Sequence, residues 1–449
     1  MSTALLSESA SNLGNLISIG KLDPVELTEL YLNAIKEEPL TERIYSRVTW
    51  ERARIEAKAS SERMKSGMRK SILDGVPISW KDLFDTAGVV TEAGTYLLKG
   101  RVPLEDADVV RNASEAGLIC LGKTHMSELA FSGLGLNPVT ESPPCVNDLK
   151  AVAGGSSSGA ATSVAFNLAV SGIGSDTGGS VRVPSAWNDL VGLKTTAGRL
   201  SLRGVVPLSE TFDTVGPLCR SVLDASLMLS ALEGSKPADI NGASLKGANI
   251  LLIENVIMDD LSSKVQNSFK NVIKVLKSNG ANIVSKKILE VEDAMSLGGS
   301  LVPTEAYGTW FETIEKEPNV MFSKILERFR GGNLISGAEY VNLWRKLRIV
   351  RQKFYNKVMP YDFVIMPTSP ILPPNMSRLL TDDKYYVTQN LLALRNTRLC
   401  NFLGGCALTI PTNIPSCGVT LMSSPNNEET LLRYGLVIER NLNNKKNLG

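Results

Sequence analysis

The hydrophobic and polar positions of the first 65 residues follow a helical period. In KLDPVELTELYLNAI, Asp23 is a good N-cap, Pro24 suits the first helical position and Glu26 lies in the first turn. Apolar residues then recur every three or four positions, as on one face of a helix. The pattern therefore predicts a helical N-terminal part over about residues 1–65.

Short apolar runs alternate with helical patterns in the next segment of the chain. The run in SILDGVPISWKDLFDTAG ends at Lys81, as a buried strand would. Residues 108–131 predict a helix, a short strand in GLICLGKT and a second helix. Residues 132–153 are rich in Gly, Pro, Asn and Ser, which predicts a long loop.

The second half of the chain has the pattern of a βαβ unit followed by helices. ANILLIENV and ANIVSKKI predict two strands, and the amphipathic residues 262–278 between them predict a helix. Residues 290–356 are mostly helical in pattern, and YDFVIMPTSPILPP predicts a strand running into a rigid loop. Further short strands are expected from CALTIPTN onward. No repeat or low-complexity linker interrupts this order, so we expect one α/β domain over residues 1–449, with helices around a mixed sheet.

Composition and charge indicate which kinds of binding partner the protein lacks. The chain has 449 residues and a net charge of +2, and its Lys and Arg residues are scattered, so we expect no direct nucleic-acid contact. Six cysteines without CxxC pairs and one histidine make a structural zinc site improbable and suit a reducing compartment. The first 20 residues lack the features of a signal peptide, and no apolar run is long enough to span a membrane. We therefore expect a cytoplasmic protein that does not contact a membrane.

Three consecutive serines in AVAGGSSSGAATSVAF raise the question of a serine nucleophile. GSSSG matches the nucleophile elbow of α/β-hydrolases, with Ser157 as the nucleophile, but that fold needs its histidine after the serine. The single histidine, His125, precedes it, so this interpretation fails. A P-loop also fails because no Gly-Lys-Ser/Thr follows. A serine nucleophile here needs another base, and a lysine made neutral by burial can supply one.

A second glycine-rich segment, GIGSDTGGSVRVP, predicts an oxyanion-binding nest. Its glycines accept backbone angles that other residues avoid, so successive N–H groups can converge on one point. Such a nest suits the oxyanion of a tetrahedral intermediate. The predicted donors are Thr177, Gly178, Gly179 and Ser180.

Three motifs in this order resemble the amidase signature family. They are GVPISWKD with Lys81, GGSSSGAATSVA with Ser156 and GSDTGGSVRVP with Ser180, and Ser156 precedes Ser180 by 24 residues as in that family. The resemblance implies that Ser180 is the nucleophile, that Lys81 is the base and that Ser156 is the serine that bridges the two. It also implies a cis peptide bond between Gly155 and Ser156.

The same resemblance implies a fold and an activity. The fold is an α/β/α sandwich around one mixed sheet, with the signature core at about residues 70–220. The activity is hydrolysis of a small carboxamide to a carboxylate plus amine or ammonia through an acyl-serine, with no metal and no cofactor. Two alternatives stay open: the glutaminase (A) subunit of a tRNA-dependent amidotransferase, which commonly has glutamine where Val183 stands, and a non-catalytic binding protein on the same fold. Monomer and homodimer are both open.

Some positions depart from the family pattern without touching the three catalytic candidates. Ser158 stands where a glycine is usual, and Asn188, Asp189 and Thr195 occupy the usual Cys, Gly and Pro positions. These changes affect the packing beside the site.

Other polar residues near the motifs are interpreted mainly as structural: Ser157, Ser158, His125, Asp176 and Arg182. Cys145, in the long loop, is a candidate for lining a channel. Arg328 and Arg330, in RFRGG, are typical solvated residues that also have the chemistry to recognise a substrate carboxylate.

Overall fold

Thirteen strands organise the part of the chain that the computed structural model describes, residues 3–446. They are β1 (Tyr45–Val48), β2 (Pro77–Lys81), β3 (Ile119–Thr124), β4 (Pro144–Cys145), β5 (Asp148–Val152), β6 (Ser171–Ser175), β7 (Val191–Lys194), β8 (Val215–Cys219), β9 (Asn249–Ile253), β10 (Asn282–Lys286), β11 (Phe363–Pro367), β12 (Cys406–Pro411) and β13 (Gly418–Ser423).

Sixteen α-helices accompany these strands within the same residues. They are α1 (Ala10–Ser18), α2 (Pro24–Glu37), α3 (Thr41–Ile44), α4 (Trp50–Lys65), α5 (Asp108–Glu115), α6 (Ser158–Ala165), α7 (Arg182–Trp187), α8 (Val222–Glu233), α9 (Ser263–Ser278), α10 (Leu289–Lys316), α11 (Ser323–Arg330), α12 (Gly337–Val358), α13 (Met376–Thr381), α14 (Asp383–Ala393), α15 (Arg395–Leu403) and α16 (Glu428–Lys446). Short 3-10 helices span Thr3–Ser7, Tyr96–Leu98, Glu128–Ala130, Pro318–Val320 and Gly331–Leu334.

Eleven of the strands form one mixed sheet flanked by helices, which confirms the predicted fold class. Its order is β1-β3-β2-β6-β8-β7-β12-β13-β11-β9-β10, and β4 pairs with β5 in a separate hairpin. β3, β2 and β6 run parallel to one another, as do β11, β9 and β10, while the other neighbours are antiparallel. Strands such as β2, β3 and β6 are buried along their whole length, as expected of a sheet covered on both faces.

Several elements predicted from the pattern have the expected boundaries. Asp23 caps α2, since its carboxylate accepts the N–H of Val25 at 2.9 Å. The βαβ unit is present as β9, α9 and β10, with the two strands in parallel register. The helical stretch after it comprises α10, α11 and α12.

Three local predictions were wrong. The helix expected near residue 130 is only a 3-10 turn, because Leu129 and Ala130 adopt positive φ angles of 44° and 59°. The loop over residues 132–153 contains the β4–β5 hairpin. The helical N-terminal part is interrupted by β1, which adds to the sheet against β3. None of the helices within residues 3–446 is both long and apolar enough to cross a membrane.

Candidate active site

Two neighbouring parallel strands bring Lys81 and Ser175 together. Lys81 is the last residue of β2 and Ser175 is the last residue of β6, and the two strands pair in parallel. Because the carboxyl ends of parallel neighbours meet at one edge of the sheet, these side chains lie side by side. Lys81 Nζ donates a hydrogen bond to Ser175 Oγ at 2.8 Å.

Ser156 reaches the same lysine from the segment that leads into α6. The Gly155–Ser156 peptide bond is cis, as the resemblance implied. Lys81 Nζ donates to Ser156 Oγ at 2.7 Å, and the N–H of Ser127 donates to the carbonyl of Ser156 at 3.2 Å. The start of α6 lies against β6 at Gly174, where an added Cβ would come within 2.5 Å of a serine hydroxyl oxygen. The structure thus joins two residues that are 75 positions apart in the chain.

Ser180 lies in the loop between β6 and α7. Its carbonyl accepts the N–H of Ser157 at 3.2 Å, which holds this loop against the segment that carries Ser156. Ser180 lines a small cavity of about 60 Å³ together with Thr177 and Gly178. The three predicted catalytic residues therefore lie in one region, with Ser180 facing the cavity and Lys81 fully buried.

Burial controls the protonation state of Lys81. Its side chain has no exposed surface, and desolvation lowers its pKa to about 7, against the opposing effect of the charges on Asp213 and Asp176. A carboxylate in direct contact would hold the lysine charged, but both hydrogen-bond partners of its Nζ are hydroxyl groups. An amine with a pKa near 7 has a large neutral fraction at physiological pH, as a general base requires.

Asp176 and Arg182 form a buried ion pair behind the nucleophile loop. The guanidinium donates to both carboxylate oxygens, at 2.9 and 3.0 Å, and neither side chain is exposed. Burial alone would raise the pKa of Asp176, but the charge of Arg182 and its hydrogen bonds hold it well below its usual range. Arg182 also donates to the carbonyl of Thr397 and to Asn401, so the loop is anchored to α15. The structural interpretation of Asp176 and Arg182 is confirmed.

One of the four predicted oxyanion donors, the amide of Gly179, has a different hydrogen-bond partner from the expected one. The N–H of Gly179 donates to Asp176 at 2.8 Å, so in this structure it does not face an oxyanion. The amides of Thr177, Gly178 and Ser180 make no hydrogen bond to other residues within 3–446. The hydroxyl of Thr177 donates to Asp213, whose pKa is raised to about 6 by burial.

His125 and the two remaining serines are structural. Burial lowers the pKa of His125 to about 4, and its carbonyl accepts the N–H of Gly159 at 2.9 Å. Ser157 donates its hydroxyl hydrogen to the carbonyl of Ser175 at 3.2 Å, and Ser158 donates to the carbonyl of His125. None of these side chains lines the cavity beside Ser180.

Cys145 does not line that cavity either, contrary to the suggested role. It is buried, and its thiol donates to the carbonyl of Trp187.

The departures from the family pattern are accommodated locally. The side-chain amide of Asn188 donates to the carbonyls of Ala153 and Pro184, both at 2.8 Å. Asp189 adopts a positive φ of 56° at a position where glycine is usual, and Thr195 donates its hydroxyl hydrogen to the carbonyl of Val215. Each polar side chain therefore satisfies nearby backbone and leaves the triad residues in place.

The two arginines of RFRGG have different surroundings. Arg328 lines the cavity beside Ser180, whereas Arg330 is exposed and pairs with Glu315 at 2.7 Å. The sequence interpretation missed Arg398, which lines the same cavity, and Ser175, the second partner of Lys81. Ser175 lies at the end of β6, a strand that the sequence interpretation did not predict, and its proximity to Lys81 follows only from the pairing of β6 with β2.

Comparisons with known proteins agree with this geometry. The amidase family profile matches residues 26–432. The chain is 30% identical to the A subunit of a glutamyl-tRNA(Gln) amidotransferase from Anaeromyxobacter dehalogenans, over 87% of each chain, and 31% identical to a 2-amino-5-chloromuconic acid deaminase from Comamonas testosteroni, also over 87% of each chain. A crystal structure of an amidase superposes with a TM-score of 0.87 and 26% identity, covering 96% of this chain and 99% of that one. The chain therefore belongs to the amidase family, whose members act on carbon–nitrogen bonds.

Proposed function

We propose that this amidase hydrolyses a small carboxamide through an acyl-enzyme on Ser180, with Ser156 and Lys81 as the proton relay. The observation that carries the proposal is the buried Lys81, whose Nζ lies 2.7 Å from Ser156 Oγ and whose pKa is near 7. A lysine in that state can accept a proton from a hydroxyl group at physiological pH.

During acylation, Ser156 and Lys81 first remove a proton from Ser180 and later return a proton to the leaving nitrogen. Neutral Lys81 accepts the proton of Ser156 as Ser156 accepts the proton of Ser180, and Ser180 Oγ attacks the amide carbonyl carbon. The resulting tetrahedral intermediate collapses by breaking the C–N bond, and the relay returns the proton to the leaving nitrogen. The amine or ammonia leaves, and the acyl group remains as an ester on Ser180.

Deacylation repeats the chemistry with water. Ser156 and Lys81 accept a proton from the attacking water, and the ester C–O bond breaks to give the carboxylate and restore the Ser180 hydroxyl. We propose that the amides of Gly178 and Ser180, with that of Thr177, stabilise the oxyanion in both steps. Gly179 is left out of this set in the present conformation because its N–H donates to Asp176.

The direct test is turnover of a panel of short amides by the purified protein and by Ser180→Ala. We expect hydrolysis by the wild type, loss of turnover in the variant by at least about a thousandfold, and an unchanged circular dichroism spectrum. A fluorophosphonate probe should label the wild type on Ser180 and leave the variant unlabelled. Turnover that persists in folded Ser180→Ala would contradict the nucleophile assignment. A folded wild type that neither labels nor turns over any amide would favour the non-catalytic binding protein.

The second candidate is the glutaminase (A) subunit of a tRNA-dependent amidotransferase. Similarity to the A subunits of glutamyl-tRNA(Gln) amidotransferases favours it. Val183, where that subunit commonly has glutamine, is buried in α7 and argues against it. Hydrolysis of amides by the protein alone, unchanged by co-expressed partner subunits, supports a stand-alone hydrolase. Glutaminase activity that appears only with a partner supports the amidotransferase candidate.

The proposed setting is the cytoplasm. All six cysteines within the described residues are free thiols and buried, as in proteins of reducing compartments. The proposed domain organisation is one catalytic unit over residues 1–449, because strands from both halves of the chain share one sheet.

A further inference from the structure

Helix α10 carries two glycines and a proline in the segment that lines the cavity beside Ser180. Gly298, Gly299, Val302 and Pro303 all belong to that lining, although Pro303 lies near the middle of a helix of 28 residues. Glycine and proline are both unfavourable in the interior of a helix. Their presence here therefore calls for an explanation in packing or in function.

Packing explains Gly298. An added Cβ at this position would lie 2.2 Å from the ring carbon Cγ of Phe402, so a side chain would push α10 away from α15. Phe402 lines the same cavity and lies in α15. Gly298 therefore brings the backbone of α10 to the edge of the cavity.

Packing does not explain Gly299. No heavy atom would lie within 4 Å of an added Cβ, and Gly299 is the one exposed residue among those that line the cavity. Its backbone therefore lies at the mouth of the cavity, with open space where a side chain would be. A glycine at such a position lets another molecule approach the backbone closely.

Pro303 removes the donor that the carbonyl of Gly299 would have in a regular helix. That carbonyl ordinarily accepts the N–H of the residue four positions later, and a proline has no N–H. The next carbonyl, that of Ser300, accepts the hydroxyl hydrogen of Thr304 at 2.8 Å. No donor from outside α10 within residues 3–446 contacts the carbonyl of Gly299. The structure therefore leaves a backbone hydrogen-bond acceptor at the mouth of the cavity.

We propose that the carbonyl oxygen of Gly299 accepts a hydrogen bond from an N–H group of the substrate that is not part of the scissile amide. This inference rests on the proposed function, because the carboxamide of the same substrate must reach Ser180. Arg328 and Arg398 line the same cavity and would repel a further positive charge, so the expected donor is uncharged. A site built to bond an N–H group discriminates against an analogue that lacks it, because its acceptor is then left unpaired.

N-acetylglycinamide and 4-oxopentanamide give a matched pair of substrates. They have the same number of heavy atoms and the same terminal carboxamide, but an N–H group in the first is a CH₂ group in the second. The hydrogen bond should raise kcat/KM for ammonia release from N-acetylglycinamide by about 2- to 10-fold, the range typical of one such bond. Because the two amides also differ in intrinsic reactivity, the informative quantity is how the ratio of their kcat/KM values changes between variants.

Pro303→Ala supplies the missing N–H, so the carbonyl of Gly299 can complete its helical hydrogen bond. The ratio of the two kcat/KM values should then fall by about 2- to 10-fold. We expect this variant to fold, since a helix breaker is replaced by the best helix former, and circular dichroism checks it. Val302→Ala is the matched control, because it changes the same lining without supplying a donor to Gly299, and it should keep the wild-type ratio. An equal ratio in the wild type and Pro303→Ala would overturn the acceptor and leave hydrolysis through Ser180 intact.

Binding measured without turnover separates this inference from the proposed function. In an NMR titration, adding Pro303→Ala to Ser180→Ala should raise the Kd of N-acetylglycinamide by about 2- to 10-fold and leave that of 4-oxopentanamide unchanged. A wild type that hydrolyses neither amide, together with this binding pattern, would refute the proposed hydrolysis and retain the acceptor. Equal changes in Kd for the two amides would refute the acceptor.

Discussion

Lys81 is the residue whose state sets the pH dependence of the proposed reaction. It must be neutral to accept a proton, and burial lowers its pKa to about 7. We therefore expect kcat/KM to rise with pH through an apparent pKa near 7 and to level off above it. A rate profile from pH 5 to 9 on one amide substrate measures this limb, and its absence would argue against a lysine base.

Two variants test which titrating side chain produces the rise of kcat/KM with pH. His125→Gln should leave the profile unchanged, because burial already lowers the pKa of His125 to about 4. Asp213→Asn removes a negative charge that raises the pKa of Lys81, so the limb should move to lower pH. Since the pKa of Asp213 itself is raised to about 6, disappearance of the limb in Asp213→Asn would assign it to the aspartate instead.

We expect Ser175 to position Lys81 without taking part in proton transfer. Its hydroxyl oxygen accepts a hydrogen bond from Nζ at 2.8 Å and so favours the charged lysine. Ser175→Ala should therefore move the rising limb to lower pH and reduce kcat by less than about a hundredfold, below the range for a general acid–base contribution. Ser156→Ala should cost much more. Equal losses in the two variants, with no shift of the limb, would show that Ser175 belongs to the relay.

The sequence predicted the residues that lie within short motifs and missed those that arrive from elsewhere. Lys81, Ser156 and Ser180 are marked by glycine-rich or apolar neighbours in the chain. Arg398 lies 218 positions after Ser180, in a helix that carries none of the glycine-rich motifs. Only the tertiary fold brings it to the nucleophile, so no local signal was available.

At the scale of elements, the nucleophile loop depends on close contact with α15. Gly179 has a φ of 135°, and an added Cβ would lie 2.0 Å from Thr397 Oγ1. Thr397 cannot move freely because its hydroxyl donates to the carbonyl of Gly178 at 2.8 Å and its own carbonyl accepts from Arg182. Gly179→Ala should therefore displace the loop and reduce kcat/KM by at least about a hundredfold, since small misplacements of a reacting group are costly. Steady-state kinetics measures the loss.

Gly178→Ala is the matched control for that prediction. An added Cβ there would meet its nearest neighbour at 3.8 Å, an ordinary contact. Its melting temperature should stay close to the wild-type value, whereas Gly179→Ala should lose about 1–3 kcal/mol from the strained φ alone. Equal stability and activity in the two variants would show that the loop is not constrained by α15.

The elements themselves differ in how well their patterns predict them. β9, α9 and β10 were predicted because each has a period that packing reinforces. β1 and the β4–β5 hairpin were missed because they are short. β1 takes its pairing from the distant β3, and the hairpin strands, which pair with each other, are also bridged from Ala151 to the distant Asn375. Tertiary contacts determine whether such short segments form strands, and local propensity does not.

Across the whole molecule, the active site joins two halves of one sheet. The strands of the signature region end at β7, which pairs with β12 from the C-terminal region. Ser180 and its relay come from the first half, while Arg328 and Arg398 come from the second. The motifs that identify the chemistry therefore lie in the first half of the chain, and part of the lining of the cavity beside Ser180 comes from the second half.

Arg199 gives a test of whether the two halves unfold together. It pairs with Glu428 at the start of α16 at 2.7 Å, and Glu428 is fully buried, with a second hydrogen bond from the N–H of Thr196. Arg199→Gln leaves that carboxylate without its cation, and the free energy of unfolding should fall by on the order of 3 kcal/mol. Arg203→Gln is the matched control, because Arg203 is an exposed partner of Asp108 and its loss should change the free energy of unfolding much less.

Urea unfolding read by two reporters measures the coupling. Single-tryptophan variants should be prepared that retain either Trp187 in the first half or Trp344 in the second, each with and without Arg199→Gln. If the shared sheet makes residues 3–446 one cooperative unit, both reporters should have one midpoint, and Arg199→Gln should lower it equally for both. A variant that lowers the midpoint at Trp344 alone would show that the C-terminal strands unfold as a separate domain.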